Sequence, residues 1–162
     1  MKTIYLVRHA KSSWEFNVGD IDRPLSRRGI NDANLLTKEV LKYQIQPDAI
    51  YSSPANRALS TCKIFIKNLD FDDNLLSIKE KLYDFGGRQV ADFIYNLDDS
   101  LDTVMIFGHN HAFTEIANKF GDEFIDNVPT CGLVLLQFNV DSWKNIDKGH
   151  TKKTLFPRHL KT

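Results

Sequence analysis

The chain has 162 residues, enough for one domain with a single sizeable core, and its 42% hydrophobic and 26% charged residues are ordinary for a folded globular protein. Lys plus Arg total 21 and so do Asp plus Glu; this balance argues against a dedicated nucleic-acid binder, whose basic face would show in the sum. No apolar run approaches membrane-spanning length, and no leader-like stretch is visible after Met1-Lys2, so a cytoplasmic location without membrane contact is the expectation.

In chain order, apolar runs alternate with helical patterns. Residues 3–8 read as a short β-rich strand. Ser26 is placed to cap a helix running to about Tyr43, with Ile30, Ala33, Leu36, Val40 and Leu41 at helical spacing and Gly29 in the first turn as a small cost. Pro47-Asp48 breaks the pattern before the short strand Ala49-Ile50-Tyr51. Ser53 then reads as an N-cap with Pro54 at the first helical position, ahead of a helix whose Ala58, Cys62, Phe65 and Leu69 share a face. Leu75 to Ile78 forms a third candidate strand. Gly86-Gly87 precedes a helix carrying Val90, Phe93, Ile94 and Leu97. Thr103 to Phe107 is the clearest buried strand; it ends at Gly108-His109 and leads into a helix over about 111–120. Leu133 to Phe138 is a further strand. Lys153 to Phe156 is expected to pair with it as a hairpin, with Gly149 to Lys153 as a polar turn. The alternation predicts an α/β layer architecture with a largely parallel centre.

The chemistry-bearing residues cluster at the ends of these elements. Arg8 and His9 leave the first strand, Arg57 lies in the first turn of the helix after Ser52-Ser53-Pro54, and His109 follows a strand and a glycine. Strand exits are where open α/β sheets bind ligands. Two arginines and two histidines suit a phosphoryl group: the planar guanidinium forks grip phosphate oxygens, and a neutral imidazole nitrogen can attack phosphorus. Each residue alone has a plain structural alternative, an ion-paired arginine or a satisfied core histidine; the conjunction carries the reading. His111, His150 and His159 lack comparable context. A metal on His109 and His111 lacks a suitably spaced third ligand, so neither metal nor cofactor is expected. Cys62 and Cys131 follow no metal-ligand spacing and read as buried reduced thiols, with a disulfide as the alternative.

At these residues the chain resembles the histidine phosphatase, or phosphoglycerate mutase-like, superfamily, and within it the small phosphohistidine phosphatases of the SixA type. The resemblance rests on Leu6 to Trp14, on Asp22-Arg23-Pro24-Leu25-Ser26 with Gly29, and on Ser52-Ser53-Pro54 through Arg57-Ala58 with Thr61. It continues through Gly108-His109-Asn110, Asn127 to Thr130 and Phe156-Pro157-Arg158. It implies a three-layer α/β/α sandwich with a mixed, mostly parallel sheet, a single catalytic domain over 1–162, and His9 as a nucleophile that becomes phosphohistidine. Arg8, Arg57 and His109 would complete the phosphate pocket, and Lys11, Ser12 and Asn110 are adjacent candidate contacts. Arg23 would reach the rim or serve a salt bridge that holds its loop.

Larger members place a glutamate before a Tyr-Gly-Gly-like loop as general acid. Here the loop is Phe85-Gly86-Gly87 and the acid position falls near Leu82, flanked by Glu80 and Asp84. A site without a strong acid suits phosphohistidine, whose imidazole departs neutral, better than an alkyl ester whose alkoxide needs a proton. The reading is therefore a metal-independent phosphatase acting on phosphohistidine, as in a histidine phosphotransfer domain. The alternatives are a small-molecule phosphomonoesterase, with Asp84 or Glu80 as acid, and a non-catalytic binder of phosphorylated partners.

Overall fold

The computed structural model describes residues 1–161. One six-stranded sheet runs through the molecule, built from β1 (Lys2–Arg8), β2 (Ala49–Ser52), β3 (Leu76–Ile78), β4 (Thr103–Gly108), β5 (Leu133–Phe138) and β6 (His150–Leu155), in the order β3-β2-β4-β1-β5-β6. The pairs β3-β2, β2-β4 and β4-β1 are parallel, whereas β5 runs antiparallel to β1 and β6 antiparallel to β5. The α-helices among the described residues are α1 (Arg27–Val40), α2 (Asn56–Asn68), α3 (Arg88–Tyr95) and α4 (Ala112–Phe120).

Side-chain alternation along the strands divides the core. Ile4, Leu6, Val104 and Ile106 face α3 and α4, where Val90, Ile94, Phe113, Ile116 and Phe120 pack with Trp143. Val7, Ile50, Met105 and Phe107 face α1 and α2, against Ala33, Leu36, Val40, Cys62, Phe65 and Ile66. The central strands are thus apolar on both faces, as a parallel sheet covered by helices requires. Both cysteines are free and buried; burial pushes the Cys62 thiol up to about 12 and raises that of Cys131 as well.

Three local expectations change. In α1 the buried stripe is Gly29, Ala33, Leu36 and Val40, while Ile30 is 44% and Leu41 56% exposed. Ile30 lies one residue, about 100° of helical rotation, off the stripe, and Leu41 lies beyond the helix. Gly29 is not a weakness: a Cβ there would lie 2.1 Å from the Lys11 carbonyl oxygen, so the glycine lets α1 seat on that backbone. The expected hairpin partner of β5 forms as β6 and starts earlier, taking in residues 150–152 of the expected polar turn, and it pairs with β5 across an irregularity at Leu135/Leu136. As an edge strand it exposes Lys152 and Lys153, and charged side chains of that kind protect edges while making the sequence read as loop.

Candidate active site

Parallel pairing brings separate parts of the chain to one edge of the sheet. Arg8 ends β1 opposite Gly108 at the end of β4, and Ser52 ends β2 opposite Phe107. The ladders extend one residue further: His9 donates its backbone N–H to Gly108 O (3.0 Å) and Ser53 donates to Phe107 O (3.0 Å). His9, Ser53 and His109 therefore leave three adjacent strands side by side, and α2 supplies the buried Arg57 from its first turn. Gly108 has no room for a side chain, since a Cβ would lie 2.7 Å from the Phe113 ring.

The two imidazoles stand 5.4 Å apart, centroid to centroid. His9 is buried, and its Nδ1 lies 2.7 Å from the carbonyl oxygen of Ala10. A carbonyl only accepts, so Nδ1 carries the proton and Nε2 keeps a free lone pair. Burial, reinforced by the charges of Arg8, Arg57 and Arg23, pushes the His9 pKa down to about 4, against the pull of the Ala10 bond; the ring is neutral near pH 7. His109 is fully buried and pushed down to about 3 by desolvation, then by His9 and Arg57. Its Nε2 lies 2.8 Å from Ser53 Oγ. That oxygen also accepts the Ala55 backbone N–H at 3.1 Å, so one hydroxyl ties the second imidazole to the start of α2. Tyr83 and Phe85 wall this ring at 5.4 and 4.9 Å.

Three guanidinium groups surround the pair. Arg8 donates to Val128 O at 2.9 Å; burial and then Arg57 lower its pKa from the ordinary arginine value. Arg57 donates through its two terminal nitrogens to the backbone oxygen (2.7 Å) and Oδ2 (3.0 Å) of Asp20. Arg23 donates to Ser12 Oγ, lies 3.2 Å from Asp20 Oδ1 and stacks 3.7 Å above the Trp14 ring. Among the described residues, Nε of Arg8, Arg23 and Arg57 and Nδ1 of His109 are buried with no hydrogen-bond partner. Leaving such buried polar atoms unpaired costs about 1–3 kcal/mol each. Their concentration here marks an anion-seeking cluster rather than a closed ion-pair network.

The other candidates take different places. Ser12 accepts from Arg23. Lys11 is exposed, and the structure uses its carbonyl, which accepts from Ser26. Asn110 accepts from Thr114 and donates to Asn127 at 2.6 Å, while Thr114 Oγ1 holds the Val128 N–H at 3.0 Å. Asn110 thereby braces the loop whose carbonyl receives Arg8. Ser53 does not cap α2, whose N-cap is Ala55. The carboxylate of Asp84, the candidate general acid, accepts from the backbone amides of Gly86, Gly87, Gln89 and Val90 at 3.0–3.1 Å, which caps the start of α3. All four bonds use the carboxylate oxygens as acceptors. Glu80 is exposed and makes no side-chain hydrogen bond among the described residues. Asp20 and Tyr83 are participants that the sequence reading missed. Tyr83 donates to Asp20 Oδ2 at 2.6 Å, and this bond, ahead of those from Arg57 and Arg23, draws the Asp20 pKa down to about 2. The only signal was position, Asp20 just before the Asp22-Arg23-Pro24 block.

Comparison with known proteins fits this geometry. The family model described as the histidine phosphatase superfamily (branch 1) matches residues 4–86. An uncharacterised chloroplastic protein of Arabidopsis thaliana is 30% identical over 152 residues, spanning 88% of this chain and 69% of that one. A solved chain from Agrobacterium tumefaciens, described as a candidate phosphohistidine phosphatase SixA, superposes with a TM-score of 0.81 at 23% identity, covering 96% of this chain and 98% of its own. A protein histidine phosphatase SixA complexed with tungstate superposes at 0.83 with 16% identity, covering 98% and 99%.

Proposed function

The chain belongs to the histidine phosphatase superfamily, and from that premise we propose that it is a phosphatase that takes the phosphoryl group of phosphohistidine onto His9 and passes it to water. The observation that carries the reading is a neutral His9 with a free Nε2 among three guanidinium groups that retain unused N–H donors. Positive charge spread over the equatorial oxygens and an in-line nucleophile are what phosphoryl transfer asks of a protein.

In the first step Nε2 of His9 forms a bond to phosphorus while the substrate's N–P bond breaks. The leaving imidazole keeps a proton on its other nitrogen and departs neutral. His9 becomes a phosphoimidazolium whose Nδ1–H points at the Ala10 carbonyl, so the developing positive charge meets an acceptor already in place. Water then attacks phosphorus, the His9–P bond breaks with its electron pair returning to Nε2, and the water proton leaves with inorganic phosphate. Neither step requires a general acid, which agrees with Asp84 being spent on the α3 amides. The tungstate held by a structural relative is a tetrahedral oxyanion of the kind this cluster suits, and a phosphorylated histidine on a phosphotransfer protein is the proposed partner.

The test measures hydrolysis of a phosphohistidine protein beside that of an alkyl phosphate, with trapping of labelled phosphate on the enzyme. Faster phosphohistidine turnover, with an acid-labile label lost in His9→Ala, is expected. Full activity of His9→Ala overturns the reading. Faster alkyl hydrolysis that drops in Asp84→Asn favours a small-molecule phosphomonoesterase.

A further inference from the structure

We propose that Asp20 is a displaceable internal counter-anion, a carboxylate that occupies the arginines of the free site and yields them only to a ligand carrying enough negative charge. The inference rests on the phosphatase reading and adds a specificity-determining residue to it. Asp20 Oδ2 lies 3.0 Å from Arg57 and Oδ1 lies 3.2 Å from Arg23. The burial of the partners is unequal: the side chains of Arg57 and Arg23 are 2% and 10% exposed, whereas that of Asp20 is 49% exposed. The cations are fixed and the anion has solvent to swing into.

Each arginine also has an anchor that does not depend on the carboxylate. Arg57 holds the backbone oxygen of Asp20 at 2.7 Å, and Arg23 holds Ser12 Oγ and the Trp14 ring. The backbone of this turn is itself tied to α2, because Asn56 donates to Asp22 O at 3.1 Å. Departure of the side chain therefore leaves the forks in position. It also frees the Tyr83 hydroxyl, which now donates to Asp20, to donate to the incoming anion instead. A dianionic phosphoryl group replaces one carboxylate charge with two and gains on exchange; a monoanion replaces like with like and gains little.

The test is titration of inorganic phosphate, and in parallel nitrate, into the wild-type protein and Asp20→Asn at neutral pH, read by calorimetry. Removing one competing, partly screened charge is expected to tighten phosphate binding about tenfold and to narrow the preference for phosphate over nitrate. Unchanged or weaker phosphate binding in a folded Asp20→Asn overturns the proposal, because a strut that merely aims the arginines would weaken binding when lost. A crystal structure of the wild-type protein with phosphate serves independently of any variant. Asp20 should have left hydrogen-bond distance of both arginines, and retention of both contacts beside bound phosphate overturns the idea. Absence of phosphate binding by both proteins overturns the phosphatase reading, and the counter-anion with it. Binding by the wild type with no gain in Asp20→Asn removes the counter-anion alone.

Discussion

Ser53 Oγ and His109 Nε2 lie 2.8 Å apart across the exits of β2 and β4, joining residues 56 positions apart in sequence. The same hydroxyl oxygen accepts from Ala55 N, so one small side chain both ties the start of α2 and holds the second imidazole in place. Ser53→Ala is expected to lower kcat about tenfold, by loosening the ring proposed to face the phosphoryl group, and to cost roughly 1 kcal/mol of stability for the buried hydrogen bonds. Turnover and a urea melt on the same preparation check both; unchanged turnover would falsify the orienting role.

Acid should weaken the fold in a defined window. His9 and His109 are pushed down to about 4 and about 3, whereas an unfolded histidine titrates near 6.5. Between those values the unfolded chain binds protons that the folded chain refuses, so stability rises with pH there and falls as pH drops from about 6.5 to about 4. The two buried rings together make this loss on the order of a few kcal/mol. Denaturant midpoints at about pH 7 and pH 5 measure it, and the loss should shrink in His9→Asn. The acid limb of kcat/KM should fall near pH 4, where the free ring protonates, rather than near 6.5.

Asp84→Asn separates a cap from an acid. One carboxylate oxygen receives Gly87, Gln89 and Val90 amides and the other receives Gly86; an amide side chain offers one acceptor oxygen in place of two. The variant should lose about 1–2 kcal/mol in a thermal melt, as for a lost helix cap, while its rate on phosphohistidine stays within about threefold of wild type. A large rate loss at unchanged stability would return Asp84 to the role of acid.

Gly29→Ala offers opposite signs from two arguments. Helix propensity alone favours alanine by about 1 kcal/mol. The added Cβ, however, would stand 2.1 Å from Lys11 O, a backbone atom fixed by its bonds to Ser26. We expect net destabilisation of about 1–3 kcal/mol, as for overpacking, read as a lower melting temperature. Lys11 lies two residues from His9, so anion affinity should fall as well.

Arg57→Ala is expected to reduce kcat/KM by roughly 10²–10³-fold, the scale for losing one preorganised donor to a developing anion. Arg57→Lys should recover only part of this, because an ammonium cannot both hold Asp20 through two nitrogens and offer a third to the ligand. Steady-state rates of the two variants beside wild type decide it.

The sequence by itself determined the architecture and where its chemistry gathers. Short continuous apolar runs such as Thr103 to Phe107 and the helical stripe Ala33, Leu36, Val40 are local patterns, and local patterns indicate element type. The motif residues Arg8, His9, Arg57 and His109 stood out for the same reason, since each sits at a boundary between elements that can be read in the chain. Tertiary structure alone decided partnership. Glycine at 29 looks like a flaw until the Lys11 backbone arrives against it, and the first half of β6 looks like a turn until β5 supplies its ladder. Asp84 binds only amides two to six positions on, a local cap, whereas Asp20 is a loop acid that bridges Arg23, Arg57 and Tyr83, the last two 37 and 63 positions away. Hydrogen bonds between residues tens of positions apart depend on the register of parallel strands, and no window of sequence contains that register.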